Sequence, residues 1–384
     1  MSLPTANPQP DTPEARRYNR IKRLLELADL VLGVGFLVVL LVTGWTNRLR
    51  DISMRTAGDH YWLQLFIYVL LLSAISKLLG LAFDIYDFRV EHRFHLSNQK
   101  AGSWILDQVK SWTVGLVVGT VLAETVYGLM RMWPANWWIF AWLFIVVLLI
   151  FFTQIAPVVL FPLFYKFVPL QNEELKDRLM RLGERAGKRI RGVYEWKLSE
   201  KTKKANAALT GLGHTRRIIV GDTLLQNYTE DEIEAVLAHE LGHHVHGHLI
   251  KNIVVLALIT LAGFWTANWV LDYVTYQKHM FLHLTDFANM PLLTLATSLV
   301  STLLMPVWNA YSRFSERQAD LYCWKSVPSV TPFVTAMQKL SVQNLSENAP
   351  SRLVEVLFHS HPPVAKRIAA ALSWSQKNRP SLAT

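Results

Sequence analysis

The chain has 384 residues, 51% of them hydrophobic and 18% charged, a net charge of +10 and one cysteine, Cys323. A soluble chain carries about 25% charged residues, and the apolar residues here come in long blocks, which excludes a water-soluble globular protein in favour of a membrane protein. The single cysteine excludes an intrachain disulfide and a cysteine-rich zinc site, and the positive charge fits basic loops facing anionic lipid, with no nucleic-acid partner.

Residues 1–23 are polar, with Pro4, Pro8, Pro10 and Pro13 followed by five basic residues, and predict a disordered basic N-terminus. The apolar run at 24–45 is too long for a signal-peptide core and lacks a cleavage site, so it is read as a membrane anchor. Further spans are predicted at 61–83, 103–130, 137–165, 249–273 and 290–311, giving about six helices of the roughly 20 residues a bilayer requires. Trp133, Trp137 and Trp138 suit an interfacial aromatic belt. With the N-terminus inside, the segment 166–248 falls inside with fourteen Lys and Arg, while the outer loops hold few. Lys77 and Glu124 lie within spans and are candidates for lining a hydrated interior. Asp107 and Lys110, nearer span ends, are expected to snorkel.

The organisation expected is a 24–165 transmembrane region, a 166–248 cytoplasmic α+β insert, membrane helices five and six over 249–311, and a C-terminal helical region over 312–384. Within the insert, 172–186 has helical periodicity. Stretches 192–198, 205–212 and 216–221 read as strands, the last two joined as a hairpin. A sheet edge of this kind can hold an extended peptide by its backbone.

The insert ends in His239-Glu240-Leu241-Gly242-His243, an HExxH sequence. Positions i and i+4 share one helical face, so both imidazoles can hold one ion, and Glu240 can act on a water at that ion without ligating it. Thr229, with Glu232 three residues on, predicts a capping box at the helix start. His244 and His248 form a rival i, i+4 pair, but without a Glu after the first histidine. A third ligand is required, and Glu316 is the best candidate. Asp320, one turn further, is placed to orient a ligand imidazole. On spacing alone, pairing of Glu316 and Asp320 with Arg313 and Arg317 is the better reading.

Several ordered segments carry a resemblance. They include 89–94 (RVEHRF), Asn206-Ala207-Ala208, 221–225 (GDTLL), the HExxH, Ser312-Arg313 with Glu316 and Gln318-Ala319-Asp320, and His361-Pro362-Pro363 with Arg367. Together, over about 88–370, they resemble the type I CAAX prenyl protease family of integral-membrane zinc metalloproteases and, more distantly, the bacterial HtpX proteases. The resemblance implies one Zn2+ held by His239, His243 and Glu316, and Glu240 as catalytic base toward a zinc-activated water. It implies Asn206 and Ala207 on the strand that grips substrate backbone, and His361 and Arg367 against the substrate at the scissile bond. It also implies a helix barrel around a water-filled chamber.

The expected fold is therefore an α-helical polytopic membrane protein of about six helices around a hydrated chamber, with a small zincin-type α+β insert. The expected function is hydrolysis of peptide bonds in membrane-associated or prenylated proteins. The natural partners are then a peptide or protein substrate, with or without a lipid anchor, and membrane lipids. Three departures bear on the substrate: one span fewer than the seven of eukaryotic members, Asn206-Ala207-Ala208-Leu209 where aromatic residues are common, and no ER-retrieval signal in 380–384. They bear on the prenylated substrate more than on the chemistry. The expected location is a bacterial inner membrane, with the site on the cytoplasmic side by the Lys and Arg distribution. The competing readings are an HtpX-like quality-control protease and a metal-binding channel or transporter. A non-catalytic scaffold does not explain the retention of Glu240.

Overall fold

The structure is a computed structural model describing residues 11–211 and 213–378. The first ten residues of the expected disordered N-terminus lie outside the described residues, and the rest of it is ordered. Helix α1 (Pro13–Val42) starts with Pro at its first position and Thr12 accepting from the Ala15 amide at 3.1 Å. Its basic first turns are anchored, because Tyr18 donates to Glu91 at 2.7 Å and Lys22 and Arg23 pair with Asp87 and Glu347. The boundary expected at 23/24 therefore falls inside one continuous helix.

The short α2 (Trp45–Ala57) packs on α3 (Tyr61–Arg93), which is followed by α4 (Ala101–Met132) and α5 (Trp137–Ile155). A π-turn, Ala156–Leu160, carries α5 into α6 (Phe161–Phe164). Pro157 and Pro162 lack the amide hydrogens that a regular helix needs there, and the widened turn accommodates them. Six helices are long and apolar enough to cross a membrane, as the hydropathy pattern predicts. They close a ring in which α1 packs on α3, α3 on α4, α4 on α5, α5 on α10 (His248–Asp272), α10 on α11 (Met290–Ser326), and α11 back on α1.

Two hydrophobic cores sit at opposite ends of this ring. One joins Leu65, Tyr68, Tyr127, Trp137, Ala267 and Leu271 at one end, and the other fills the catalytic unit described below. Between them α3 buries nothing from 70 to 89, α4 nothing from 101 to 125 and α5 nothing after Ala141. Glu124 lies on this stretch, half-buried, while Lys77 is hydrogen-bonded to Asp84 and Gln108, both at 2.6 Å. Asp107 ties the ring to the insert by pairing with Lys201 at 2.6 Å, and Lys110 donates to the Leu163 carbonyl of α6 at 2.9 Å.

The insert opens with β1 (Phe167–Pro169) and α7 (Glu173–Arg185), whose first turn is capped by Asn172. Strands β2 (Gly192–Trp196), β3 (Ala207–Thr210) and β4 (Arg217–Gly221) complete a sheet of order β1-β2-β4-β3. Pair β3–β4 is antiparallel, with Ala208 opposite Ile219, which is the hairpin the sequence predicts. Its first strand is shorter than expected because Ala205 is drawn off, exchanging two hydrogen bonds with the Asn344 side chain at 2.9 and 3.1 Å. Strand β3 is an edge of the sheet.

Helices α8 (Asp222–Asn227) and α9 (Glu230–Val245) follow, and Gly247, at φ 66°, separates α9 from α10. Helix α11 has 37 residues and no break at 311/312, so the boundary expected there is absent: one helix carries the sixth span into the catalytic unit. Helices α12 (Thr331–Gln343), α13 (Arg352–Phe358) and α14 (Val364–Asn378) close that unit, with breaks near Pro328, Pro350 and Pro362-Pro363.

Candidate active site

Helix α9 begins with the predicted capping box: Thr229 accepts from the Glu232 amide and Glu232 from the Thr229 amide. Its residues 232–239 are all buried against the sheet, α11 and α12. Gly242 is where α11 crosses most closely. A Cβ there would lie 2.9 Å from Ala319 Cα and 3.0 Å from its carbonyl oxygen, so only glycine lets the helices approach this far. That approach brings Glu316 under the two histidines.

Nε2 of His239 and Nε2 of His243 lie 3.2 Å apart, and each is 3.3 Å from a Glu316 oxygen. Asp320 Oδ1 accepts from His239 Nδ1 at 2.9 Å, so the His239 hydrogen sits on Nδ1 and Nε2 presents a lone pair inward. Glu316 Oε2 is accordingly buried with no hydrogen-bond donor. Acceptors converging on one point in this way hold either a proton or a metal cation between them. The spacing fits a metal, since tetrahedral ligands at about 2.05 Å from a common centre lie about 3.3 Å apart. The alternative pairing of Glu316 with Arg313 is not formed, as Arg313 donates to the carbonyls of Glu355 and His359 at 2.9 and 2.6 Å.

Burial opposes charge on His239, but hydrogen bonds to Asp320 and Glu316 outweigh it and push its pKa up to about 9. The field that favours a proton there equally favours a metal cation. Glu240, half-buried beside the two histidines, is pushed upward by burial against their opposing pull.

Arg367 lines the cleft beside His239 and also has a structural partner there. It grips Asp320 with two donors at 2.6 and 2.9 Å, and its Nη2 lies 3.3 Å from His239 Nδ1. Burial works against its charge, but Asp320 raises its pKa above the ordinary value. His361 is exposed, its Nε2 3.3 Å from Glu316 Oε1, and it follows a segment that α11 holds through Arg313 and through Asn309, which donates to the Leu357 carbonyl. Asn206 and Ala207, at the start of edge strand β3, line one cleft of about 480 Å3 with His239, Glu240, Glu316 and His361. A larger cavity of about 1050 Å3, beside Phe94, Tyr228 and Gln343, holds none of these groups, and chemistry outweighs size in choosing between them.

The rival pair separates. His244 meets the Leu209 carbonyl at 2.8 Å and fastens α9 to β3, whereas His248 contacts His243 and Gln318. The sequence offered His248 as half of the rival pair and gave Gln318 no contact. Their partners are 5 and 70 residues away, and only the long crossing of α11 brings them together.

A closed helical ring with a two-histidine, one-glutamate site on its end defines a polytopic membrane metalloprotease. Residues 169–375 match the model of peptidase family M48, and residues 5–166 match that of the CAAX prenyl protease N-terminal region, described as five membrane helices. Four long helices and the short α2 occupy that region here. The chain is 32% identical to the "Uncharacterized metalloprotease YhfN" of Bacillus subtilis (strain 168), over 93% of this chain and 84% of that one. It is 30% identical to CAAX prenyl protease 1 of Saccharomyces cerevisiae, over 80% and 72% of the two chains. A crystal structure of Ste24p from S. mikatae shares the fold, with a TM-score of 0.83 at 24% identity, covering 93% of this chain and 88% of that one. The chain belongs to peptidase family M48 and is a membrane metalloprotease of the CAAX prenyl protease type.

Proposed function

We propose that the protein is a zinc endopeptidase cutting membrane-associated or prenylated proteins at the cytoplasmic face of a bacterial inner membrane. The observation carrying this reading is the cluster of His239, His243 and the donor-less Glu316 Oε2, set in a cleft that shares its wall with Asn206 and Ala207 at a free sheet edge. Bound Zn2+ supplies a Lewis acid that acidifies water and polarises the scissile carbonyl.

The remaining steps belong to the chain. An extended substrate adds to β3 and is held through the backbone near Asn206 and Ala207. Glu240, its pKa raised by burial, takes a proton from the attacking water and passes it to the leaving amine. His361, exposed beside Glu316, donates to the oxygen that gains negative charge. Arg367 keeps Asp320 ionised and thereby fixes the His239 ring, and the edge it turns to the cleft lines the substrate path. A lipid chain would lie along the mid-ring stretches of α3, α4 and α5, where no side chain is fully buried and where Glu124 sits.

The test is incubation of the purified chain with farnesylated and unfarnesylated peptides, with and without chelator, and product identification by mass. Cleavage preferring the farnesylated peptide and lost in chelator is expected. Equal cleavage of both replaces the CAAX reading with general quality control. Zinc binding without any cleavage replaces it with a transporter.

A further inference from the structure

We infer that His248 and Gln318 together fix the tautomer and orientation of the metal ligand His243; this rests on the metal reading above. The Nδ1 atoms of His243 and His248 are 3.0 Å apart, and His248 Nε2 is 2.9 Å from Gln318 Oε1. Two ring nitrogens at that distance share a single hydrogen. To turn a lone pair toward Glu316 and His239, His243 must carry its hydrogen on Nδ1, and His248 Nδ1 then accepts it. The N–H left to His248 is on Nε2, and among the described residues its partner is the Gln318 amide oxygen. Reversing the amide would reverse every hydrogen in the chain and drive the His243 Nε2–H into the metal position.

The backbone builds this arrangement. Gly247, at φ 66°, turns the chain so that His248, the first residue of α10 and 1% exposed, faces back to His243. The His246 ring stacks on His248 at 5.6 Å. Helix α11 thus touches the triad at three places: Glu316 directly, Asp320 through His239, and Gln318 through His248 and His243.

The experiment is zinc affinity of the full chain in detergent, by competition with a fluorescent chelator, beside the melting temperature of the metal-free protein. His248→Ala and Gln318→Leu are each expected to weaken zinc about 10–100-fold. Gln318→Glu, which keeps an acceptor for His248, should stay within about threefold of wild type on this mechanism. Affinity for His248→Ala within that same margin overturns the inference. If His248→Ala does not fold, equal losses in Gln318→Leu and Gln318→Glu overturn it, since a purely structural role would not distinguish an acceptor from a leucine. A wild-type chain that binds no zinc instead refutes the metal reading itself.

Discussion

The two ends of the ring and its middle follow different packing rules, and α11 runs through both. In the catalytic unit, residues from α7, three strands, α9, α11, α12 and α14 share one close-packed core. In the middle of the ring, long stretches of α3, α4 and α5 bury nothing. The apolar side chains there are required by lipid rather than by neighbouring protein, because a bilayer helix satisfies its backbone alone and gains little from packing against another helix. The catalytic unit has the reverse need. Its ligands come from two helices and must be held to within a fraction of an ångström, which close packing provides.

This contrast can be tested from the chemistry outward. Glu240→Gln should lower peptide cleavage by at least about 10^3-fold, in the range for loss of a positioned base, with zinc content unchanged by elemental analysis. Retained turnover within tenfold of wild type would remove Glu240 from the mechanism. Leu237→Ala, in the dense core, is expected to cost about 2–5 kcal/mol in melting experiments, whereas Val117→Ala, exposed at mid-ring, should stay within about 0.5 kcal/mol. Similar losses at both sites would erase the distinction.

The metal-free site carries its own pH signature. His239 is raised from 6.5 to about 9 in the folded chain, so its contribution to stability is complete below pH 6.5 and is lost as pH rises through 9. Melting temperature in chelator should fall across that window and fall less in Asp320→Asn; a flat profile would contradict the assigned contacts. A further test is Gly242→Ala, where the added methyl meets Ala319 at 2.9 Å. Forcing α9 from α11 should cost about 1–3 kcal/mol and weaken zinc binding with it. A fully stable variant would show that the crossing has slack.

Much of this was legible in the chain. The six apolar blocks became six long helices, because a bilayer span is a local property of length and hydropathy. The α9 cap and the HExxH face were also local, set by Thr229, Glu232 and the i, i+4 spacing of His239 and His243. The N-terminal segment was read wrongly beyond residue 10, because its basic residues find acidic partners on α3 and at Glu347, far away in sequence. Lys77 pairs with Asp84, one more contact that the sequence reading did not assign.

By itself, then, the sequence determined that the chain spans membranes and carries one helix able to hold a metal with two histidines and act with a glutamate. Only the tertiary structure decided that Glu316 faces that helix instead of Arg313. It also decided that Arg367 supports Asp320 and that Gln318 stands behind His243 through His248. The physical reason is the range of the forces involved: hydropathy and helical period act within a few turns of one segment. The remaining assignments depend on α11 crossing α9 at Gly242, and no pattern within either helix records that crossing.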